Sequence, residues 1–414
     1  MGLRTLFDKS FLQELTLDES VWFDHFFYPI ICPLFYVETL ADLKKSVREG
    51  RTPEDEVRII AEKFPDSQGT PCVFHLTLAL YNLLGINIPM RGQIPVPNGR
   101  PIKSHGKSGI VYDSLSENEA FLRWLNMQFL DVEHKYANVW RENLSNLNSK
   151  HITKCFQSLG INGKSCKTLQ EAKDIADTIV NSTDKLYERM ELACMVLRIN
   201  DLKTQADILK TWGIMNNKPL ASYAPYAAFV VTIEIFFQIA LAANLISSDR
   251  PSNYVDISYL SYLPFCNIIV SSDKLLRKCA PLFLRSNQEF IWGTELKHAL
   301  KELNEYYLKN ITDEINEQGL INFASLPPKE GSFYVSRLWD KYFPSWSEKR
   351  EFTDLPKSIK NSNLGEEITK MADTPTLSNE QIDFDVHNPD TVTIERRIRK
   401  KKGTWYQIPK DIKN

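Results

Sequence analysis

Two short apolar runs, far apart in the chain, each end in a carboxylate, and this pattern most constrains the fold. Leu6-Phe7 leads into Asp8, and Ile268-Ile269-Val270-Ser271-Ser272 leads into Asp273. A short, continuous apolar run suits a strand buried on both faces, as in a parallel sheet. A carboxylate at the end of a buried strand is costly unless something positive meets it. In open α/β sheets that carboxyl edge is also where ligands bind. Two further acids follow the pattern: Glu38 after Leu34-Phe35-Tyr36-Val37, and Asp256 opening the aromatic helical segment Asp256-Ile257-Ser258-Tyr259-Leu260. Carboxylates gathered at one edge raise each other's pKa unless a divalent cation neutralises them. The chain therefore reads as a metal-dependent enzyme.

The first 50 residues read as strand, helix, short strand, helix. Leu3–Phe7 is a strand, Ser20–Phe27 an aromatic helix, Cys32–Val37 an apolar run in the place of the second strand, and Glu38–Arg48 a helix with Leu40, Leu43 and Val47 on one face. From 51 to 220 the texture changes to amphipathic helices: Glu54–Lys63, Cys72–Leu84, Glu117–Leu144 and Thr168–Leu197, the last opening with the capping-box spacing Thr168/Glu171. Between them Met90–Tyr112, rich in glycine and proline, reads as a hairpin or ordered loop. Alternation of strand and helix resumes over 221–315, with strands expected at Asn267–Val270 and Glu289–Trp292 and helices from Lys274 and over Glu295–Lys309. Residues 316–395 form an extension and acidic linker, and 396–414 a basic tail.

With 414 residues the chain can bury a full core and carry further structural units. A formal net charge of −2 gives no global pull toward nucleic acid, so any such binding must use local patches. The seven cysteines show no CxxC pair and are odd in number, which argues against a zinc site and a disulfide scaffold and fits a reducing cytoplasm. The N-terminus lacks the basic and apolar regions of a signal peptide. Ala224–Ile246 is nearly long and apolar enough to span a membrane, yet it carries Glu234 and Gln238 at its middle, and it is read as a helix buried inside an α/β core.

The order of the acids resembles that of the PIN-domain nucleases. Asp8 ends the first strand, Glu38 goes with the following helix, Asp256 starts a later helix, and Ser271-Ser272-Asp273 follows the next strand. The resemblance covers residues 1–50 and 220–310. It implies a three-layer α/β/α parallel sheet interrupted by a mainly helical insertion. It also implies that Asp8, Glu38, Asp256 and Asp273 are catalytic and bind Mg²⁺ or Mn²⁺ for phosphodiester hydrolysis, with RNA favoured over DNA. The chain departs from compact family members in the roughly 170 residues between its second and third acids. Hard carboxylate oxygens suit Mg²⁺, and a metal-bound water becomes a nucleophile near neutral pH. The rival expectation is a non-catalytic PIN-like protein that binds nucleic acid or a protein partner through its insertion and tail.

Residues around the acids carry secondary expectations. Asn253, three residues before Asp256, is placed to orient it or to decorate a loop. Ser271 and Ser272 are candidates to hydrogen-bond Asp273 or substrate. Glu234 and Gln238 share a helix face and either reach the site or form a buried hydrogen-bonded pair. Lys274 and Arg277 either meet a phosphate or line a solvated helix face. Arg91, Arg100, Lys103, His105 and Lys107 lie among glycines in a loop that is not a P-loop. In the tail, Arg396, Arg397, Arg399, Lys400, Lys401 and Lys402 precede Trp405 and Tyr406, a composition that suits phosphate neutralisation and base stacking, docking on the acidic linker, or plain solvation. A homo-oligomer or a protein partner stays open.

Overall fold

Leu3–Phe7 (β1) is the central strand of a five-stranded, all-parallel sheet. This computed structural model describes residues 2–44, 50–104, 107–112, 116–137, 166–329, 333–344, 346 and 399–411. The other sheet strands are β2 (Phe27–Ile31), β3 (Thr70–Pro71), β6 (Ile268–Ser271) and β7 (Glu289–Trp292); β4 (Arg100–Ser104) and β5 (Lys107–Val111) form a separate antiparallel hairpin. The sheet order is β3-β2-β1-β6-β7. The chain thus builds outward from β1 to β3, leaves for nearly two hundred residues, and returns on the other side of β1. That reversal makes the gap between the carboxyl ends of β1 and β6 a topological switch point, the usual place for a ligand crevice.

The expected strands Leu3–Phe7, Asn267–Val270 and Glu289–Trp292 are present, the second shifted by one residue to Ile268–Ser271, and burial explains why the first two are legible. Ile268–Ser271 is buried at all four positions. The second strand lies earlier than the sequence suggested. It is Phe27–Ile31, whereas Phe35 and Val37 belong to the helix Pro33–Leu40. Pro33 decides the matter: it forces Cys32 into extended backbone (φ −83°, ψ 153°) and sits in the first turn, where its missing N–H costs nothing. Leu34, Phe35 and Tyr36 are all buried, so the run has no polar face to reveal its helical period.

The helical segment is continuous with the sheet. β3 lies inside residues 51–220 and pairs with β2 through Ile30/Thr70 and Ile31/Pro71. The helix Pro53–Lys63 packs on the helices Lys9–Glu14 and Leu17–Phe26 that follow β1. Thr168–Leu197 is two helices, Leu169–Asn181 and Leu186–Val196; Thr168 accepts from Glu171 N at 3.1 Å, while the Glu171 carboxylate takes Lys167 N. The helix Ser116–Leu125 stops well short of Leu144, and part of that expected helix lies outside the described residues. Pro225–Ala242 is long and apolar enough to cross a membrane, but it is buried among the helices His75–Leu83, Leu169–Asn181 and Leu186–Val196. One continuous apolar core runs from Leu6 and Ile269 in the sheet to Val231 and Ala176 in the helical block.

The end of the chain returns to the body. Lys401–Lys402 (β8) and Trp405–Tyr406 (β9) form a small hairpin whose turn needs Gly403, held left-handed (φ 59°) against the Asp18 carboxylate where a Cβ would collide. The acidic stretch Thr353–Glu395 lies outside the described residues.

Candidate functional site

Strand register brings the acids together. Phe7 is level with Val270, so the next residues, Asp8 and Ser271, stand side by side at the carboxyl edge. Ser271 Oγ donates to Asp8 Oδ2 at 2.7 Å and accepts from Asp273 N at 2.9 Å, linking the two strand-end acids through one hydroxyl. Both acids also cap helices. Asp8 Oδ1 accepts Phe11 N at 3.0 Å, and Asp273 Oδ1 accepts Leu275 N and Leu276 N at 2.7 and 2.9 Å. Ser10 Oγ donates to Asp8 Oδ2 at 2.7 Å and accepts Ser272 N at 3.2 Å.

The other two acids arrive on helices. Asp256 does not start its helix; it lies inside Ser252–Ser258, whose cap position is Pro251. That helix packs against both Pro33–Leu40 and Lys274–Cys279, which puts Asp256 between Glu38 and Asp273. Glu38 is in the last turn of its helix rather than early in one. Its Oε2 accepts the Tyr259 hydroxyl at 2.9 Å, and its Oε1 lies 3.9 Å from Lys9 Nζ. Buried Lys9 also donates to Glu38 O at 3.0 Å and to Asp42 Oδ1 at 2.9 Å.

The electrostatics follow from this crowding. Burial, then the charge of Glu38, pushes Asp8 up to about 7, although hydrogen bonds from Ser10, Ser271 and Phe11 N oppose the shift. Burial, then Glu38, Asp273 and Asp8, pushes Asp256 up to about 9, with Lys9 opposing. Burial also raises Glu38, against Lys9 and the Tyr259 hydrogen bond. Among the described residues the Asp256 carboxylate has no hydrogen-bond or close ion-pair partner.

Carboxylate oxygens are the donors that a hard divalent cation takes, and among the described residues Asp256 has no close partner. The four acids do not close round one point. Among the described residues, no three His, Cys, Asp or Glu side chains gather as a metal-ligand group. The physical reason is that Asp8, Asp273 and Glu38 are each held by their own caps, hydroxyls or lysine.

The remaining candidates divide. Asn253 ties to Ser247 O at 2.9 Å and not to Asp256. Ser272 Oγ is buried without a partner, beside Gly293, where a Cβ would collide with it. Glu234 accepts the Tyr254 hydroxyl at 2.9 Å, which makes it half of a buried hydrogen-bonded pair with Tyr254 rather than Gln238. Lys274 is exposed beside Asp273, and exposed Arg277 lies over the Trp292 ring at 4.7 Å. Arg396 and Arg397 lie outside the described residues, as does His105. Arg399 and Lys402 turn inward: Arg399 donates to Glu62 O and Ala61 O, and fully buried Lys402 donates to Phe64 O. Neither presents its charge to a polyanion, while Lys401 is exposed and Lys400 half-buried.

Lys9, Ser10, Asp42 and Tyr259 are site residues that sequence reasoning missed. Asp42 follows Glu38 by four residues and Tyr259 follows Asp256 by three, spacings that share one helix face. No family model, curated protein or solved structure matches the chain.

Proposed function

We propose that this chain is a divalent-metal-dependent nuclease of PIN-like architecture, an endoribonuclease, cutting phosphodiester bonds at the carboxyl edge of its sheet. The observation that carries the reading is the meeting of Asp8 and Asp273 across the switch point, with Asp256 and Glu38 in the same electrostatic cluster although 265 residues separate the first acid from the last (273 − 8). The β3-β2-β1-β6-β7 order of the parallel sheet supports it. Asp8, Asp256, Asp273 and Glu38 would hold Mg²⁺ or Mn²⁺. When bound, such an ion activates water and steadies charge on the phosphate. Ser271 fixes the spacing of the two strand-end acids, and Ser10 with the helix caps fixes their rotamers. Lys274, exposed next to Asp273, offers a phosphate contact. Six described cysteines are buried free thiols, which agrees with a reducing cytoplasm.

The test is cleavage of single-stranded RNA and DNA by purified protein with Mn²⁺ or Mg²⁺ and with chelator. Metal-dependent cleavage is expected, falling on the order of 10²-fold or more in Asp8→Asn and Asp273→Asn, as when a charge-stabilising group leaves a reaction centre. Full activity in both variants removes the assignment.

The second reading, a non-catalytic PIN-like binding protein, is favoured by one observation: Asp8, Asp273 and Glu38 are engaged in structural hydrogen bonds, and the acids form no ligand group among the described residues. Thermal unfolding with Mn²⁺ separates the two, since an ion that binds the native state raises Tm and a silent site does not.

A further inference from the structure

We infer that the groove holding the end of the chain is a peptide-binding site, specific for a basic β-hairpin built around a tryptophan, and that residues 399–411 are its ligand, bound in cis by contacts that need no covalent link. The carboxyl-edge acids play no part in it. Residues 399–411 carry five cationic side chains and one acid, a net charge of +4 (5 − 1). The groove meets them with four carboxylates: Asp18, Asp24, Asp66 and Glu317. Opposite charge on two faces steers their encounter and fixes their register. The end of the helix Pro53–Lys63 adds to the negative side. Arg399 donates to Ala61 O at 2.7 Å and Glu62 O at 2.8 Å, carbonyls of the last turn, where the helix dipole favours a cation.

The contacts recognise the hairpin's shape as well as its charge. Trp405 is the anchor: only 2% exposed, it lies 4.9 Å from the Trp22 ring and 6.4 Å from the Tyr307 ring, and its indole donates to Asn304. Asn316 pairs with the hairpin backbone, donating to Thr404 O at 3.0 Å and accepting Tyr406 N at 3.2 Å, much as a neighbouring strand would. Buried Lys402 donates to Phe64 O at 2.6 Å. At the turn, Asp18 takes both donors of Thr404 and leaves room only for glycine at 403. An aromatic anchor in a pocket with paired backbone is how grooves select short peptides. An isolated two-stranded hairpin is marginal in water, so the groove supplies its order. Each of these contacts joins 399–411 to residues 18–66 or 304–317, so a separate peptide of the same sequence can make them all.

The experiment nicks the folded full-length chain at a protease recognition sequence inserted within residues 353–395. The nick removes the covalent link and the effective concentration it supplies. The C-terminal fragment is expected to co-elute with the body in gel filtration. A fluorescent peptide of residues 399–411, acetylated and amidated at its ends, is expected to displace it, seen as a rise in anisotropy that the uncut chain does not give. The same peptide with Trp405→Ala should bind on the order of 10²-fold or more weakly, the scale of losing an aromatic anchor. Binding of the unaltered peptide should weaken as salt rises, because opposite charges are screened. A body that unfolds on nicking, followed by circular dichroism, overturns the inference, since the hairpin is then part of the core and not a ligand. A fragment that leaves a folded body overturns it too, as does one that stays but never exchanges with the peptide. Equal binding of the two peptides would reduce the site to charge alone and overturn its specificity.

Discussion

The two edges of the sheet treat their acids in opposite ways. Asp24 and Asp66, just before β2 and β3 at the amino edge, and Asp18, in the first turn of the helix Leu17–Phe26, are met by donors or cations. Asp18 accepts Thr404 N and Oγ, both at 2.8 Å; Asp24 accepts Ser67 N and Gln68 N, both at 2.8 Å; Asp66 lies 3.2 Å from Arg399 and 3.9 Å from Lys402. At the carboxyl edge Lys9 meets Glu38, Asp256 has no close partner among the described residues, and Asp8 and Asp256 are pushed up to about 7 and about 9. Acids that are matched by donors hold a fold together. Acids left crowded and under-matched cost stability, and proteins keep such groups mainly where they bind or react. The basic tail belongs to the first class: it clasps the amino edge, away from the candidate site.

The largest effect should come from breaking that clasp. Trp405 is buried against Trp22, at 4.9 Å between ring centroids, and its indole donates to Asn304 Oδ1 at 2.8 Å. Trp405→Ala should therefore cost about 3–5 kcal/mol in denaturant unfolding, the usual range for deleting a buried aromatic. If the opposite edge binds Mn²⁺, its affinity should not change. A loss of metal binding without a loss of stability would mean that the two edges are not separate in function.

How much of this was legible depended on the range of the interactions involved. Leu3–Phe7 and Ile268–Ser271 are legible because each is a largely buried apolar run, and Asp8 and Asp273 because they follow such runs, while Glu289–Trp292, buried only at Ile291, is read from its β-prone residues. β2 was misplaced because Cys32–Val37 is apolar all round and only Pro33 distinguishes helix from strand there. β3 escaped notice because two residues, Thr70 and Pro71, carry no period. Asp256 was placed at a helix start because nothing local shows that the helix begins at Ser252. The tail could not be placed from sequence: a run of Arg and Lys reads as solvated until Asp18 and Asp66, more than 300 residues away, are seen to meet it.

The carboxyl edge can be tested by titration. In the folded chain Asp8 and Asp256 keep their protons to about pH 7 and about 9, whereas both release them near 3.8 when unfolded. Over that interval the native state binds more protons than the unfolded state, so stability falls as pH rises. Buried Glu234, raised to about 7, adds a decline of the same sign. Buried His25 and His75, lowered to about 4 and about 3, act the other way below their ordinary value of 6.5. The informative window therefore runs from about pH 6.5 to 9. With chelator, Tm should fall across it; Asp256→Asn should shallow the fall, and Mn²⁺ should recover much of it. A Tm that rises with pH in chelator would show that the acids are already matched, like those of the amino edge.

The smallest effect is the sharpest comparison, because it sets two exposed lysines on opposite edges against each other. Lys274 stands beside Asp273 at the carboxyl edge; Lys401 lies over the Tyr406 ring at 4.9 Å in the clasp. If nucleic acid crosses the carboxyl edge, Lys274 neutralises a phosphate and releases a counterion on binding. Lys274→Ala should then weaken binding similarly for all base sequences and make the slope of log affinity against log salt shallower by roughly 0.7–0.9. Lys401→Ala should leave affinity and slope unchanged, since its charge faces solvent at the far edge of the sheet. Asp273 and the other acids are untouched in both variants, so binding can be read without cleavage when chelator is present. The reverse result, a slope that depends on Lys401 and ignores Lys274, would move the nucleic-acid face to the clasp and separate it from the acids.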